Sequence, residues 1–300
     1  MMAQMDSSIH KRASIDSSHY SIAGNIYLDS IVISAVRSGF DIDDFIQIIR
    51  EDNSFYQAFH RLRSLSYDFD HSIYFFNKKN SIFASYKGLH HQSYKKSCRS
   101  MQIIHKQVTG KYYKRKEFRF YTSKLFSKLF YTKDTICNSY NAQLISKNSK
   151  SNEQKQISRL KTLIFNPGES VNVPLIGDKL AIFSGKMIDY YDMSIEYENY
   201  LDSIPCFVFK IKLKDKYKNQ PKKTVIKYLY TYIGKKNNQI IARKYQLAYK
   251  NFLYDFDVTM DIQLQQLHNE YVPMYIKYDG NWHIFTKKRE KSIFEVYFKY

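Results

Sequence analysis

From Tyr254 to Leu264 the chain alternates without a break for eleven residues. Tyr254, Phe256, Val258, Met260, Ile262 and Leu264 fall on one side, and Asp255, Asp257, Thr259, Asp261 and Gln263 on the other. A period of two sends successive side chains to opposite faces, so this is a strand with one dry face and one wet face. Antiparallel sheets are built from such strands, whereas parallel sheets are apolar on both faces. A second run places Tyr67, Phe69, His71, Ile73 and Phe75 against Asp68, Asp70, Ser72 and Tyr74. The tetrapeptide Tyr-Asp-Phe-Asp opens both runs, at Tyr67–Asp70 and Tyr254–Asp257. Its two carboxylates lie about 6.5–7 Å apart on a strand, a separation also found in glycosidase acid pairs. Those pairs face each other across a cleft, and these stand side by side. The alternation already accounts for them as a solvated face that balances cross-strand lysines.

Other segments extend the sheet. Phe207, Phe209, Ile211 and Leu213 alternate with Lys210, Lys212 and Lys214. The stretch from Thr224 to Lys250 reads as two strands around Gly-Lys-Lys-Asn-Asn, and Asp279-Gly280 predicts a two-residue hairpin. Upstream the period becomes helical. Ile42, Phe45, Ile46 and Ile49 follow acidic first-turn residues. Phe55, Phe59 and Leu62 form a stripe with Asn53 as its cap. An earlier helix ends at Gly39. Phe118, Tyr121, Leu125, Phe126 and Leu129 share one helical side with Lys124 and Lys128 opposite, although Glu117–Tyr121 equally fits a strand. The fold class expected from these elements is α+β: an antiparallel sheet covered by short N-terminal helices. Residues 1–25 read as a flexible tail, 26–145 as helices, first strands and a basic segment, and 146–300 as the main sheet. The last two form one continuous domain, with 146–158 the best candidate linker.

The net charge is +19, and it is uneven. Between Lys87 and Lys133 thirteen Lys and Arg face one acid, Glu117, giving 13 − 1 = +12. Such a field attracts polyanions: nucleic acid, anionic lipid or acidic glycan. Lys111, Lys114, Arg115, Lys116 and Arg119 interleave with Tyr112, Tyr113, Phe118, Phe120 and Tyr121. With Lys124 and Lys128 they form the candidate anion-binding group. Three readings rank in order: a solvated face, an interfacial segment for an anionic membrane, and a stacking groove for single-stranded nucleic acid. Catalytic signals are lacking. His90 and His91 are neighbours that point opposite ways on a strand. No Gly-x-Ser-x-Gly is present, and no Gly-Lys-Ser/Thr follows Asn166-Pro167-Gly168. No catalytic residue, metal or cofactor is assigned, and a non-enzyme is expected.

No apolar run reaches the eighteen residues of a spanning helix. The opening Met-Met-Ala-Gln followed by polar residues resembles the end of a bacterial signal peptide, so a signal sequence is expected upstream. Of Cys98, Cys137 and Cys206, the first two can form a bridge in an exported protein; buried free thiols are the alternative.

The order of Ile204–Lys214, Asn237–Lys250, Tyr254–Leu264 and Tyr271–Gly280 resembles the Lol-type lipoprotein carriers and related periplasmic lipid-binding proteins. In that family an apolar Cys-Phe-x-Phe strand precedes a partner strand, then Val-Pro-x-x-Ile before a final hairpin. Phe45–Tyr67 and Phe165–Phe183 are also similar to a group of exported proteins from Bacteroidetes-type bacteria. The resemblance implies a curved half-barrel closed by helices around an acyl-chain cavity, in an extracytoplasmic compartment. The basic segment Lys87–Lys133 departs from that pattern. Candidate cavity residues are then the apolar faces: Phe69, Ile73, Phe75, Phe207, Phe209, Phe256, Val258 and Met260. The expected partners are a lipid or acylated protein and an anionic membrane surface, ahead of nucleic acid. The rivals are a polyanion-binding module using residues 87–133 and an exported partner-binding protein without a ligand.

Overall fold

The computed structural model describes residues 42–137, 167–168, 176–285 and 287–300. The expected tail, the helix ending at Gly39 and the linker at 146–158 lie outside the described residues. Two helices, α1 (Ile42–Glu51) and α2 (Ser54–Arg61), lead into strands β1 (Tyr67–Phe76), β2 (Ile82–Lys95) and β3 (Cys98–Gly110). A small hairpin follows, β4 (Tyr113–Lys114) and β5 (Glu117–Phe118), then α3 (Tyr121–Phe130) and the short β6 (Ile136–Cys137). The remaining strands are β7 (Tyr191–Tyr200), β8 (Ile204–Leu213), β9 (Ile226–Gly234), β10 (Ile240–Lys250), β11 (Tyr254–Leu267), β12 (Glu270–Ile284) and β13 (Glu290–Lys299).

Eleven strands form one antiparallel sheet in the order β6-β3-β2-β1-β13-β12-β11-β10-β9-β8-β7. The order has two ends, so the curved sheet is open. Strand β13 lies between β12 and β1, from Asp68↔Lys299 to Phe75↔Ser292, and so joins the N-terminal strands to the C-terminal meander. The apolar sides of β1, β2 and β7–β13 share one face, and α1, α2 and α3 pack on it. Phe45 of α1 meets Phe207 and Phe209 of β8 at 5.5 and 5.8 Å. Phe55 of α2 lies under the Arg243 guanidinium of β10. Phe126 of α3 meets Phe294 of β13 at 5.0 Å and Phe69 of β1 at 6.0 Å.

The opposite face is wet, and the Tyr-Asp-Phe-Asp acids belong to it. Asp261 pairs with Lys244 across β10–β11 at 3.5 Å. Asp255 pairs with Arg289, Asp257 accepts from Gln246, and Asp68 meets His91 at 2.7 Å. Apart from Arg289, which lies between β12 and β13, these are cross-strand partners of a solvated face.

Three local expectations change. The hairpin expected at Asp279-Gly280 is not there: β12 runs straight through it. Gly280 instead makes room for a ring, because a Cβ there would come within 2.0 Å of the Tyr278 hydroxyl. Asn53 does not cap α2. Asp52 does, accepting from the Ser54 and Phe55 amides at 3.1 and 3.2 Å. The basic segment holds a long β2–β3 hairpin. Its first strand is expected from Ser81–Tyr86, but β3 went unread because it is exposed from Gln102 to Gly110 and so carries no alternation.

Candidate functional site

The helices cover the apolar face unevenly. Between α3 and strands β10–β13 a cavity of about 280 Å³ remains. Leu125 and Leu129 of α3 form its roof; Val258, Met260 and Phe256 of β11 form its floor; Trp282 and Tyr278 of β12 stand at its side. No charged residue is among its described lining. The polar atoms nearby are engaged. The Trp282 indole donates to the Thr122 hydroxyl at 3.1 Å, and that hydroxyl donates to Glu290 at 2.8 Å.

Glu290 also sets the roof in place. It accepts from the Tyr121 and Thr122 amides at 2.7 and 2.9 Å, so a carboxylate of β13 caps the N-terminus of α3. An acid at a helix N-terminus satisfies orphan donors and opposes the dipole favourably. The segment carrying α3 is also closed by a Cys98–Cys137 disulfide, which joins β3 to β6. Cys206 is a buried free thiol.

The structure separates the eight residues proposed from sequence. Phe256, Val258 and Met260 line the cavity. The other five are not among its lining residues. Phe207 and Phe209 are sealed beneath Phe45. Phe69 is buried against Phe126 and Phe130, Phe75 stacks on Phe120 at 3.7 Å, and Ile73 is fully buried. Leu125, Leu129, Tyr278 and Trp282 were not named as cavity residues. The i, i+4, i+8 stripe Tyr121, Leu125, Leu129 was visible as an apolar helix side, and the cavity lies along it.

Beside the cavity, below the end of α3, His71 and His90 are both 2% exposed. His71 Nε2 lies 2.7 Å from the Tyr131 hydroxyl, and His90 Nε2 lies 3.1 Å from the Tyr86 hydroxyl. Gly88 permits this crowding, since a Cβ there would come within 3.1 Å of His71 and 3.2 Å of His90. Burial, then His90, pushes the His71 imidazole down to about 3; burial, then Lys106, pushes His90 down to about 4. Both are neutral near pH 7 and serve as polar core.

The basic group sits at the β4–β5 hairpin. Lys111, Lys114, Arg115, Lys116 and Arg119 are exposed, while Lys124 is half-buried and pairs with Glu117 at 3.6 Å. Lys128 lies further on, near the C-terminus of α3. Arg115 and Lys116 make the turn with φ of 51° and 66°. The interleaved rings mostly face inward. Tyr112 is buried, Phe120 stacks on Phe75, and Tyr113 stacks on Phe118 at 5.5 Å. Exposed Ile82 and Phe83 lie beside this hairpin, with the Arg119 guanidinium 5.1 Å from the Phe83 ring.

No protein-family model matches the chain, and no curated protein is similar to it. Among solved structures, it is similar to a DUF1329 family protein from Desulfovibrio piger, with TM-score 0.24, 10% identity, and 82% of this chain and 88% of that one covered. A LolA superfamily protein from Nitrosomonas europaea gives TM-score 0.24 and 10% identity over 82% and 91%. A protein domain named for outer membrane lipoprotein sorting, from Vibrio parahaemolyticus, gives 0.27 and 9% over 83% and 91%. Superpositions at these scores establish no common fold or function, so the site rests on its own geometry.

Proposed function

We propose that this chain is a non-enzymatic, extracytoplasmic lipid- or lipoprotein-binding protein that holds an acyl chain between α3 and β10–β13. The cavity carries this reading. The cavity wall is carbon, and a bound hydrocarbon would take that apolar surface out of water without asking any polar group to desolvate. The Cys98–Cys137 disulfide fits an oxidising compartment. The basic hairpin, with Ile82 and Phe83 beside it, is the docking surface for an anionic membrane, where cations and exposed apolar side chains act together. The inward rings favour that reading over base stacking on nucleic acid.

Native mass spectrometry after a high-salt wash, paired with an organic extract, tests the proposal. One bound acyl-chain lipid per protein is expected, either co-purified or taken up from added palmitate. A protein that stays empty in both experiments contradicts it. Docking is read separately by sedimentation with vesicles. Phosphatidylglycerol vesicles should capture the protein and phosphatidylcholine vesicles should not, and a Lys114→Glu/Lys116→Glu variant should lose capture.

A further inference from the structure

Two aromatic side chains stand out on the surface. Phe252 is 81% exposed and Phe285 is 74% exposed, more than any other large apolar side chain among the described residues. Phe252 lies in the β10–β11 turn, and Phe285 directly follows β12. The two segments are neighbours, because the Phe285 amide donates to the Leu253 carbonyl at 3.1 Å. The β10–β11 turn is also held in shape: Asn251 Oδ1 accepts from the Leu253 and Tyr254 amides at 2.9 and 2.7 Å. One exposed ring needs no explanation, but two on adjoining turns leave a rim of apolar surface in water.

Cations surround the pair. Lys250 precedes one ring, Lys287 and Lys288 follow the other, and all three are exposed. The Lys287 ammonium lies 5.2 Å from the Tyr121 ring at the start of α3. The nearest acids in sequence are engaged: Asp255 pairs with Arg289, and Glu290 caps α3. The rim continues along the sheet. Lys291 of β13 donates to Asn80 of the β1–β2 turn at 2.9 Å, beside exposed Lys78 and Lys79 and close to Ile82, which is 58% exposed. Rings at turn tips among cations suit a surface that is anionic outside and apolar just beneath. A second copy of this chain would set the same cations against one another. Tyr254 pairs with Ile284 across β11–β12, and both line the slot. The two rings therefore sit just past one end of it.

We infer that Phe252 and Phe285 insert into an anionic bilayer, so that this rim, and not the β4–β5 hairpin alone, holds the protein on the membrane. The rim cations meet the lipid phosphates, and the rings enter the interface below them. This rests on the membrane-docking reading and adds the inserting residues.

Sedimentation with phosphatidylglycerol vesicles tests it. A Phe252→Ser/Phe285→Ser variant should partition at least about tenfold more weakly than the wild type. Phe252→Trp/Phe285→Trp should stay within about twofold or bind more tightly, because Trp favours the interface. Leu201→Ser removes an exposed apolar side chain from the β7–β8 turn, at the opposite end of the sheet, and should change nothing. Equal capture of the wild type and the double Ser variant would overturn the inference. If Lys114→Glu/Lys116→Glu still loses capture in that case, the docking reading survives without it. An equal loss in Leu201→Ser, or no capture of the double Trp variant, would also overturn it. Self-association without vesicles, lost in the double Ser variant, would assign the rings to a second copy instead. A wild type that the vesicles do not capture would sink the docking reading and this inference together. Palmitate uptake, read by native mass spectrometry, separates rim from slot. The double Ser variant should take up palmitate as the wild type does, and losing uptake together with capture would make the rings part of the slot. A wild type that needs the rings for capture but takes up no palmitate would contradict the acyl-chain reading and support the rim assignment.

Discussion

The same apolar sheet face ends in two different ways. Over β8 and its neighbours, α1 and α2 drive Phe45, Phe55 and Phe59 into it, and each of these rings is buried. Over β10–β13, α3 lies across the face and leaves a slot of about 280 Å³. The strands in both regions are similarly apolar, so the strands do not decide where a cavity forms. The cover does. The two covers are also held differently. Besides packing, α2 is tied to β12 by Arg61, which pairs with Glu270 at 2.8 Å, whereas α3 is held by a distant carboxylate at its first turn and lies in a disulfide-closed loop.

The largest expected effect breaks the packed side. Phe45→Ala should cost about 3–5 kcal/mol by urea denaturation, because a fully packed ring leaves a new hole. Val258→Ala, at the existing slot, should cost less than about 1.5 kcal/mol. Similar losses at both positions would erase the contrast between the regions. Next is the loop that carries α3. Replacing Cys98 and Cys137 with Ala should remove about 2–4 kcal/mol. Hydrogen exchange should then rise in α3 before it rises in α1, and uniform loosening would contradict separate anchoring.

Acid should also act on the α3 side. His71 and His90 are held at about 3 and about 4, below the ordinary 6.5. The unfolded chain therefore binds more protons below pH 6.5. Stability is full above that pH and falls as the pH drops toward the folded values, by roughly 1–2 kcal/mol per histidine at pH 5.5. Urea midpoints measured from pH 7.5 to 4.5 read this directly. His71→Asn should flatten the slope, and an unchanged slope would remove His71 from the account. The smallest effect is on the wet face. Asp261→Asn should change stability by no more than about 0.5 kcal/mol, since an exposed cross-strand pair contributes little. A loss several times larger would mean that the carboxylates of this face do more than face solvent.

Alternation made β8, β10 and β11 legible, because a half-buried strand repeats its environment every second residue. The stripe Tyr121, Leu125, Leu129 revealed α3 by the same logic at helical spacing. What stayed hidden depends on distant partners. Glu290 caps α3 across a separation of 169 residues, and no local pattern announces it. Gly280 looked like a turn residue because its role is to accept the Tyr278 ring. Exposed β3 repeats nothing and so could not be read. Phe256, Val258 and Met260 lie on the apolar face that alternation identifies, and they line the slot. Phe69, Ile73, Phe75, Phe207 and Phe209 share that face but are sealed, since coverage is set by where the described helices land.

The central claim is that the slot below α3 takes an acyl chain. Trp282 offers the most direct test, as one indole in one place. Fluorescence titration with dibromostearic acid should show saturable quenching at one equivalent, with stearic acid competing. Leu125→Trp would add a second reporter, so Val258→Phe is the better block, and it should abolish quenching while the protein stays folded. Saturable quenching lost in that variant is the predicted result. Quenching that never saturates, or that Val258→Phe leaves unchanged, would contradict a binding slot between α3 and the sheet.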